Sequence, residues 1–317
     1  MSLSLQSRYR GVLLGLAAGD ALGTTLEFKS PGTFAPITDM LGGGPFGLAP
    51  GQWTDDTSMA LCLAESLVDC RGFNPRDQMD RYVRWWREGY RSSTGTCFDI
   101  GNTVRTALHR YQDTGEPYSG SEDPNSAGNG SLMRLGPIPL AYRADPALAL
   151  VMASDSSRTT HGTIECLDAC RAWTALLLAA LEGWTREDLC SRPWRELPGF
   201  GSDSELAPAI ARVLQGSYRE RQPPHIRGTG YVVESLEAAL WAFHRSDSFE
   251  AGALLAANLG DDADTTAAIY GQLAGACYGE EGIPRRWRAC LTDLELIEAL
   301  ADQLLELAGR ESSHGPH

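Results

Sequence analysis

Arg10-Gly11-Val12-Leu13-Leu14-Gly15-Leu16-Ala17-Ala18-Gly19-Asp20-Ala21-Leu22-Gly23 carries a glycine at every fourth position from 11 to 23 inside an otherwise apolar run. Residues i and i+4 lie one above the other on a helix, so this spacing stacks the four glycines on one face. Each costs roughly 1 kcal/mol of helix stability against alanine. The stripe makes sense if a second backbone packs against that face more closely than any Cβ would permit. A dinucleotide-binding fingerprint is the competing reading, but its spacing is absent and no strand precedes the run. The chain therefore opens as a helix that needs another helix.

Outward from that stretch the same grammar repeats. Asn74-Pro75 and Asp145-Pro146 each place a capping residue before a first-turn proline. The residues 163–183 form a long apolar helix expected at the centre, and Val233, Leu236, Leu240 and Phe243 recur at near-helical spacing. Further helices are predicted over 54–70, 248–259, 266–278 and 291–307. Alternating β-rich runs, internal repeats and composition breaks are absent. The expectation is an all-α fold, a single compact domain over 1–310 of roughly a dozen helices, with long loops converging on one site. Residues 311–317 read as a disordered tail. The aperiodic stretch 31–50, with Gly42-Gly43-Gly44-Pro45, reads as a mobile flap; it lacks the Gly-Lys-Ser/Thr of a P-loop.

Composition removes several function classes. A net charge of −14 repels a phosphate backbone, so general nucleic-acid binding is not expected. No apolar run reaches membrane-spanning length, and the N-terminus lacks a signal-peptide pattern, which predicts a cytoplasmic protein without membrane contact. The eight cysteines form no Cys-x-x-Cys pair and read as reduced, mostly buried thiols.

Much of the informative charge sits in two clusters, Thr54-Asp55-Asp56-Thr57 and Asp261-Asp262-Ala263-Asp264-Thr265, each opening a helix of small and apolar residues. Hard divalent cations such as Mg²⁺ or Mn²⁺ take such carboxylate and hydroxyl oxygens. Acids at helix starts also complement the helix dipole, at about 0.3–1 kcal/mol each. Two matching clusters on buried helices favour the cation, because buried carboxylates without one are costly. Asp20 and Glu27 flank the end of the first helix and read, taken singly, as surface or capping acids. Asp99 reads as the cap of the helix that follows it. Gly128-Asn129-Gly130-Ser131 offers backbone N–H groups of the kind that hold phosphates. His161 closes a Ser/Thr/Arg-rich turn.

Together these motifs resemble the ADP-ribosylglycohydrolase family, especially its bacterial branch related to dinitrogenase reductase-activating glycohydrolase. The resemblance is carried by Gly19-Asp20-Ala21-Leu22-Gly23 with Glu27, Thr54-Asp55-Asp56-Thr57, Asp99-Ile100-Gly101-Asn102 and Gly128-Asn129-Gly130-Ser131-Leu132-Met133-Arg134. Thr160-His161-Gly162, Gly230-Tyr231 and Asp262-Ala263-Asp264-Thr265 complete it. It implies an all-helical fold with two Mg²⁺ or Mn²⁺ held by Thr54, Asp55, Asp56, Asp262, Asp264 and Thr265. It also implies catalytic acids at Asp99 and Glu27, and an ADP-ribose pocket lined by Asn129, Gly130, Ser131, Met133, His161 and Tyr231. One departure is Asp261, where relatives often have glycine; it is expected to add an acid beside the ligands. The implied activity is hydrolysis of the N-glycosidic bond of ADP-ribosylated arginine on a protein, releasing ADP-ribose, by a monomer. Rival readings are hydrolysis of another ADP-ribosyl linkage (serine, nucleobase or small molecule) and a non-catalytic ADP-ribose binder.

Overall fold

The structure, a computed structural model, describes residues 3–311. Fourteen α-helices follow in order: α1 (Leu5–Gly23), α2 (Asp55–Cys70), α3 (Pro75–Glu88), α4 (Asn102–Thr114), α5 (Pro137–Ala141), α6 (Pro146–Arg158) and α7 (Ile164–Leu181). Then come α8 (Arg186–Ser191), α9 (Pro208–Leu214), α10 (Val232–Arg245), α11 (Phe249–Ala257), α12 (Ala263–Gly282), α13 (Arg285–Cys290) and α14 (Leu294–Glu311). Among the described residues there are no strands, only isolated bridges. No helix there is long and apolar enough to cross a membrane. The tail expected over 311–317 lies outside the described residues from 312 on, and Glu311 ends α14. The short helix α13 is an addition to the expected set.

The glycine stripe finds its partner at the far end of the chain. A Cβ on Gly11, Gly15, Gly19 or Gly23 would lie 2.2, 2.1, 2.0 and 2.3 Å from the carbonyl oxygens of Gly275, Gly271, Ala267 and Ala263. As the number rises along α1 it falls along α12, so the two helices run antiparallel with backbones in contact. This pair is buried on almost every side, as is α7 with Trp173, Leu177 and Leu178. The helices with one wet face, such as α3 and α4, pack outside them.

The cap residues behave as their types dictate. Asn74 Oδ1 accepts from the N–H groups of Arg76 and Asp77, both at 3.1 Å, and Gly89 ends α3 in the left-handed conformation. The stretch 31–50 is irregular and largely exposed, as expected of a loop, and several contacts join it to the helices. Ile37 exchanges two hydrogen bonds with the Asn258 amide, at 2.8 and 3.0 Å. Asp39 accepts from the Trp287 indole and pairs with Arg286 at 3.1 Å. Backbone bonds of 2.7 and 3.0 Å between Gly43 and Leu48 close a small hairpin, and Thr25 Oγ1 donates to Gly42 at 2.9 Å.

Candidate functional site

Antiparallel pairing sets the last turn of α1 beside the first turn of α12, and the start of α2 packs into the same corner. Asp20 is fully buried there. Its carboxylate accepts from Thr54 N and Oγ1, both at 2.9 Å, and from Thr57 N and Oγ1 at 3.0 and 2.6 Å. Two N–H groups at the start of α2 are thus satisfied by an acid on another helix. Thr54 stands at the N-cap position but makes no side-chain cap bond. Its hydroxyl lies 3.1 Å from Asp264 Oδ2 and 3.3 Å from Asp56 Oδ2 as well as against Asp20. One proton cannot serve three carboxylates.

The corner is rich in acceptors and short of positive charge. One oxygen each from Asp20, Asp56 and Asp264 lie within 4.8 Å of one another, and so do oxygens of Glu27, Asp99 and Asp264. Asp264 belongs to both groups. Thr265 Oγ1 reaches Asp56 Oδ2 at 3.4 Å. Glu27 Oε2, Asp56 Oδ1 and Asp264 Oδ1 are buried without a hydrogen-bond partner. None of these five acids forms an ion pair among the described residues. Burial, then the Asp99 charge, pushes Glu27 up to about 10. Burial pushes Asp99 up to about 7, opposed by a hydrogen bond with Glu27. Burial raises Asp20 to about 6, against its four hydrogen bonds. Asp55, Asp56 and Asp264 are raised by burial first and by neighbouring carboxylates second. Orphaned oxygens and raised affinities for protons are what a site built for cations shows with protein atoms alone. The donor set of carboxylates and hydroxyls suits a hard divalent ion.

Asp55, Asp262 and Thr265 face a cleft of about 620 Å³ that opens above this corner. Asp262 Oδ2 accepts from Asn129 Nδ2 at 2.8 Å, which links the acids to the Gly128–Ser131 loop. Asp261, by contrast, pairs with Arg227 at 3.1 Å and belongs to neither acid group. Its backbone is left-handed (φ 53°), a conformation open to glycine and tolerated by aspartate. The departure at this position therefore answers to the backbone, and the expected extra acid beside the ligands is absent. Asp99 is likewise no cap: α4 is capped by Gly101, and Asp99 sits outside it in a left-handed conformation (φ 58°) facing Glu27.

The lining of the cleft also holds Asn129, Gly130, Met133 and His161. Bridges Gly128–Tyr231 and Ser121–His161 register the loop, with Asn129 N donating to Gly230 at 3.1 Å and Val232 N to Ala127 at 3.0 Å. The N–H groups of Gly130 and Ser131 donate to no protein acceptor among the described residues. A Cβ on Gly130 would lie 2.8 Å from the His161 ring, so only glycine lets the loop rest on that imidazole. Burial pushes His161 down to about 3, and its Nδ1 lies 2.8 Å from Thr160 Oγ1; it is a neutral platform. Ser131 and Tyr231 stand elsewhere. The Ser131 hydroxyl is buried behind the wall, accepting from Ser157 at 2.8 Å, and the Tyr231 hydroxyl donates to Glu165 at 2.8 Å on the outer surface.

Three features have no signal within their own segments. Asp20 is a single acid in its helix, and its partners lie on another helix. Arg134 is fully buried and ties Gly130 O to Ser156 O and Thr159 Oγ1, each at 3.2 Å. Phe28, Phe46 and Phe98 meet at the cleft mouth.

Residues 1–314 match the family model described as ADP-ribosylglycohydrolase. The chain is 42% identical over 305 residues to a Serratia proteamaculans protein named ADP-ribosylarginine hydrolase Tri1, covering 95% of this chain and 80% of that one. It is 32% identical over 316 residues to the ADP-ribosyl-[dinitrogen reductase] glycohydrolase of Rhodospirillum rubrum, covering 96% and 98%. A solved structure titled "ADP-ribosylglycohydrolase-related protein complex" superposes with a TM-score of 0.84 at 48% identity, covering 96% of this chain and 99% of that chain.

Proposed function

The chain belongs to the ADP-ribosylglycohydrolase family, and from that premise we propose that it hydrolyses the N-glycosidic bond of ADP-ribosylated arginine on a protein. The observation that carries the reading is the pair of three-acid groups sharing Asp264, with orphaned oxygens on Glu27, Asp56 and Asp264. Two Mg²⁺ or Mn²⁺ would be held by Thr54, Asp55, Asp56, Asp262, Asp264 and Thr265. Bound there, they supply Lewis-acid polarisation and a template for ribose hydroxyls.

The chain's own groups divide the remaining work. Gly130 and Ser131 N–H groups receive phosphate oxygens, and Met133 and His161 shape the wall beneath them. The ADP-ribose is thereby aimed with its distal ribose over the acids. Asp99 takes a proton from the attacking water as the water oxygen bonds to C1″. The C1″–N bond breaks with its electron pair leaving on the guanidine, which then takes up that proton. Glu27, in the same acid group as Asp99 and Asp264, is the second acid placed to handle that proton.

The test is release of ADP-ribose from an ADP-ribosylated arginine peptide. Release with Mg²⁺ or Mn²⁺, abolished by EDTA and by Asp56→Ala, is expected. Full activity in EDTA would sink the metal reading. Release only from serine-linked substrate would sink the arginine assignment, and ADP-ribose binding without any turnover would sink the enzyme.

A further inference from the structure

The cleft mouth over the acids is made of three phenylalanines. Phe28 follows Glu27 and Phe98 precedes Asp99, so each ring is tethered to an acid of the corner below. Phe46, at the tip of the Gly43–Leu48 hairpin, stands between them. Its ring centroid lies 6.3 Å from Phe28 with planes at 75°, and 5.0 Å from Phe98 at 52°. The hairpin is seated firmly, since a Cβ on Gly44 would lie 2.0 Å from Thr24 O.

Phe28 is the unusual member. It is 66% exposed and left-handed at φ 60°. A bulky residue in that region is disfavoured, and such strain persists where surrounding structure enforces it. Here the enforcement is a backbone exchange: Phe28 N donates to Asp261 O at 2.7 Å, and Asp261 N to Lys29 O at 2.8 Å. Burial does not explain the ring, because most of it faces water. What the conformation achieves is an aromatic face at the entrance.

Resting on the arginine reading above, we infer that Phe28, Phe46 and Phe98 form an aromatic clamp for the alkyl-guanidinium of the acceptor arginine. Until the C1″–N bond breaks, that group is a cation. Ring faces carry negative potential and attract guanidinium groups, most strongly when partly desolvated. The floor beneath them adds to this: Asp20, Glu27, Asp55, Asp56, Asp99, Asp262 and Asp264 outnumber the positive charge that two divalent ions bring. The basic residue of the mouth, Arg105, is engaged with Ile100 O at 3.2 Å. The same cleft is lined by the loop at Asn129 and Gly130, whose free N–H groups suit the anionic pyrophosphate. A substrate with a cationic and an anionic end is oriented across the floor by the rings and this loop. A neutral serine acceptor gains nothing from the rings.

The clamp is tested with Phe28→Leu, Phe46→Leu and Phe98→Leu, which keep apolar volume but lose the π face, and with Phe46→Tyr, which restores it. Three quantities are read: KM for an ADP-ribosylated arginine peptide, Kd for ADP-ribose, and Kd for agmatine on the ADP-ribose-loaded protein. Melting temperatures check that each variant folds. The leucine variants are expected to raise KM and weaken agmatine by about 5- to 20-fold, with ADP-ribose unchanged within twofold and Phe46→Tyr near wild type. Unchanged KM and agmatine affinity overturns the clamp. A parallel loss of ADP-ribose affinity also overturns it, since the rings would then hold the nucleotide. If the wild type releases nothing from the arginine peptide, the proposed function fails, and agmatine alone judges the clamp. Loss of agmatine binding in the leucine variants then sustains it, and no agmatine binding by the wild type overturns it.

Discussion

Asp20 shows how much one side chain can organise. Two buried backbone N–H groups and two hydroxyls at the start of α2 depend on its two oxygens. Leaving a buried donor unpaired costs about 1–3 kcal/mol, so Asp20→Ala is expected to lose about 2–4 kcal/mol in urea unfolding with EDTA present. Asp20→Asn keeps the shape and one acceptor and is expected to lose less than half of that. The same turn carries Thr54, Asp55 and Asp56, so Mn²⁺ affinity by calorimetry should fall in the order wild type, asparagine, alanine. An alanine variant as stable as wild type would show that water replaces the carboxylate at no cost. Asp99 and Asp261 teach a related point at the same scale. Both are left-handed, yet one faces the acid corner and the other an arginine, a difference that no local signal in either segment encodes.

At the scale of elements, the α1–α12 pair sets the geometry on which the site depends. The glycine stripe replaces side-chain packing with backbone contact, and that contact fixes the axial register of Asp20 against Asp264. In Gly15→Ala the helix propensity gain of about 1 kcal/mol opposes a Cβ placed 2.1 Å from Gly271 O. Overpacking costs of about 3 kcal/mol win, because two backbones must part to admit the methyl. Gly309→Ala is the control, since a Cβ there has nothing within 4 Å. Denaturant unfolding should show Gly15→Ala destabilised by about 2 kcal/mol or more and Gly309→Ala unchanged or slightly stabilised. Equal effects at the two positions would remove the argument from close packing.

For the whole molecule the acids make stability a function of pH and of cations. Burial raises Asp20 from 3.8 to about 6 and Asp99 from 3.8 to about 7. The folded chain therefore binds more protons than the unfolded one across that range, and this contribution is complete below about pH 4 and lost as pH rises towards 7. Asp39 and Asp302 act oppositely, since the Trp287 indole and Arg10 respectively hold them low, and they cost stability only below their ordinary range. In EDTA the melting temperature is expected to fall between about pH 5 and 7. Added Mn²⁺ should raise it more at pH 7.5 than at pH 5, because ligands must be deprotonated to bind. A flat profile in EDTA, or equal increments at both values, would count against acids held at their own electrostatic expense. By itself the sequence determined what is encoded locally. Helical periodicity, capping pairs and the every-fourth glycines specified helices and the need for one backbone contact, and the two acid clusters marked a candidate cation site. Tertiary structure alone decided which helix answers the stripe and which acid caps α2. It likewise decided that Asp99 faces Glu27, that Tyr231 turns its ring outward, and that three phenylalanines distant in sequence share one rim. Periodicity reports a residue's neighbours within a turn or two. Which group satisfies an orphan N–H or meets a ring is settled only when helices from opposite ends of the chain pack together.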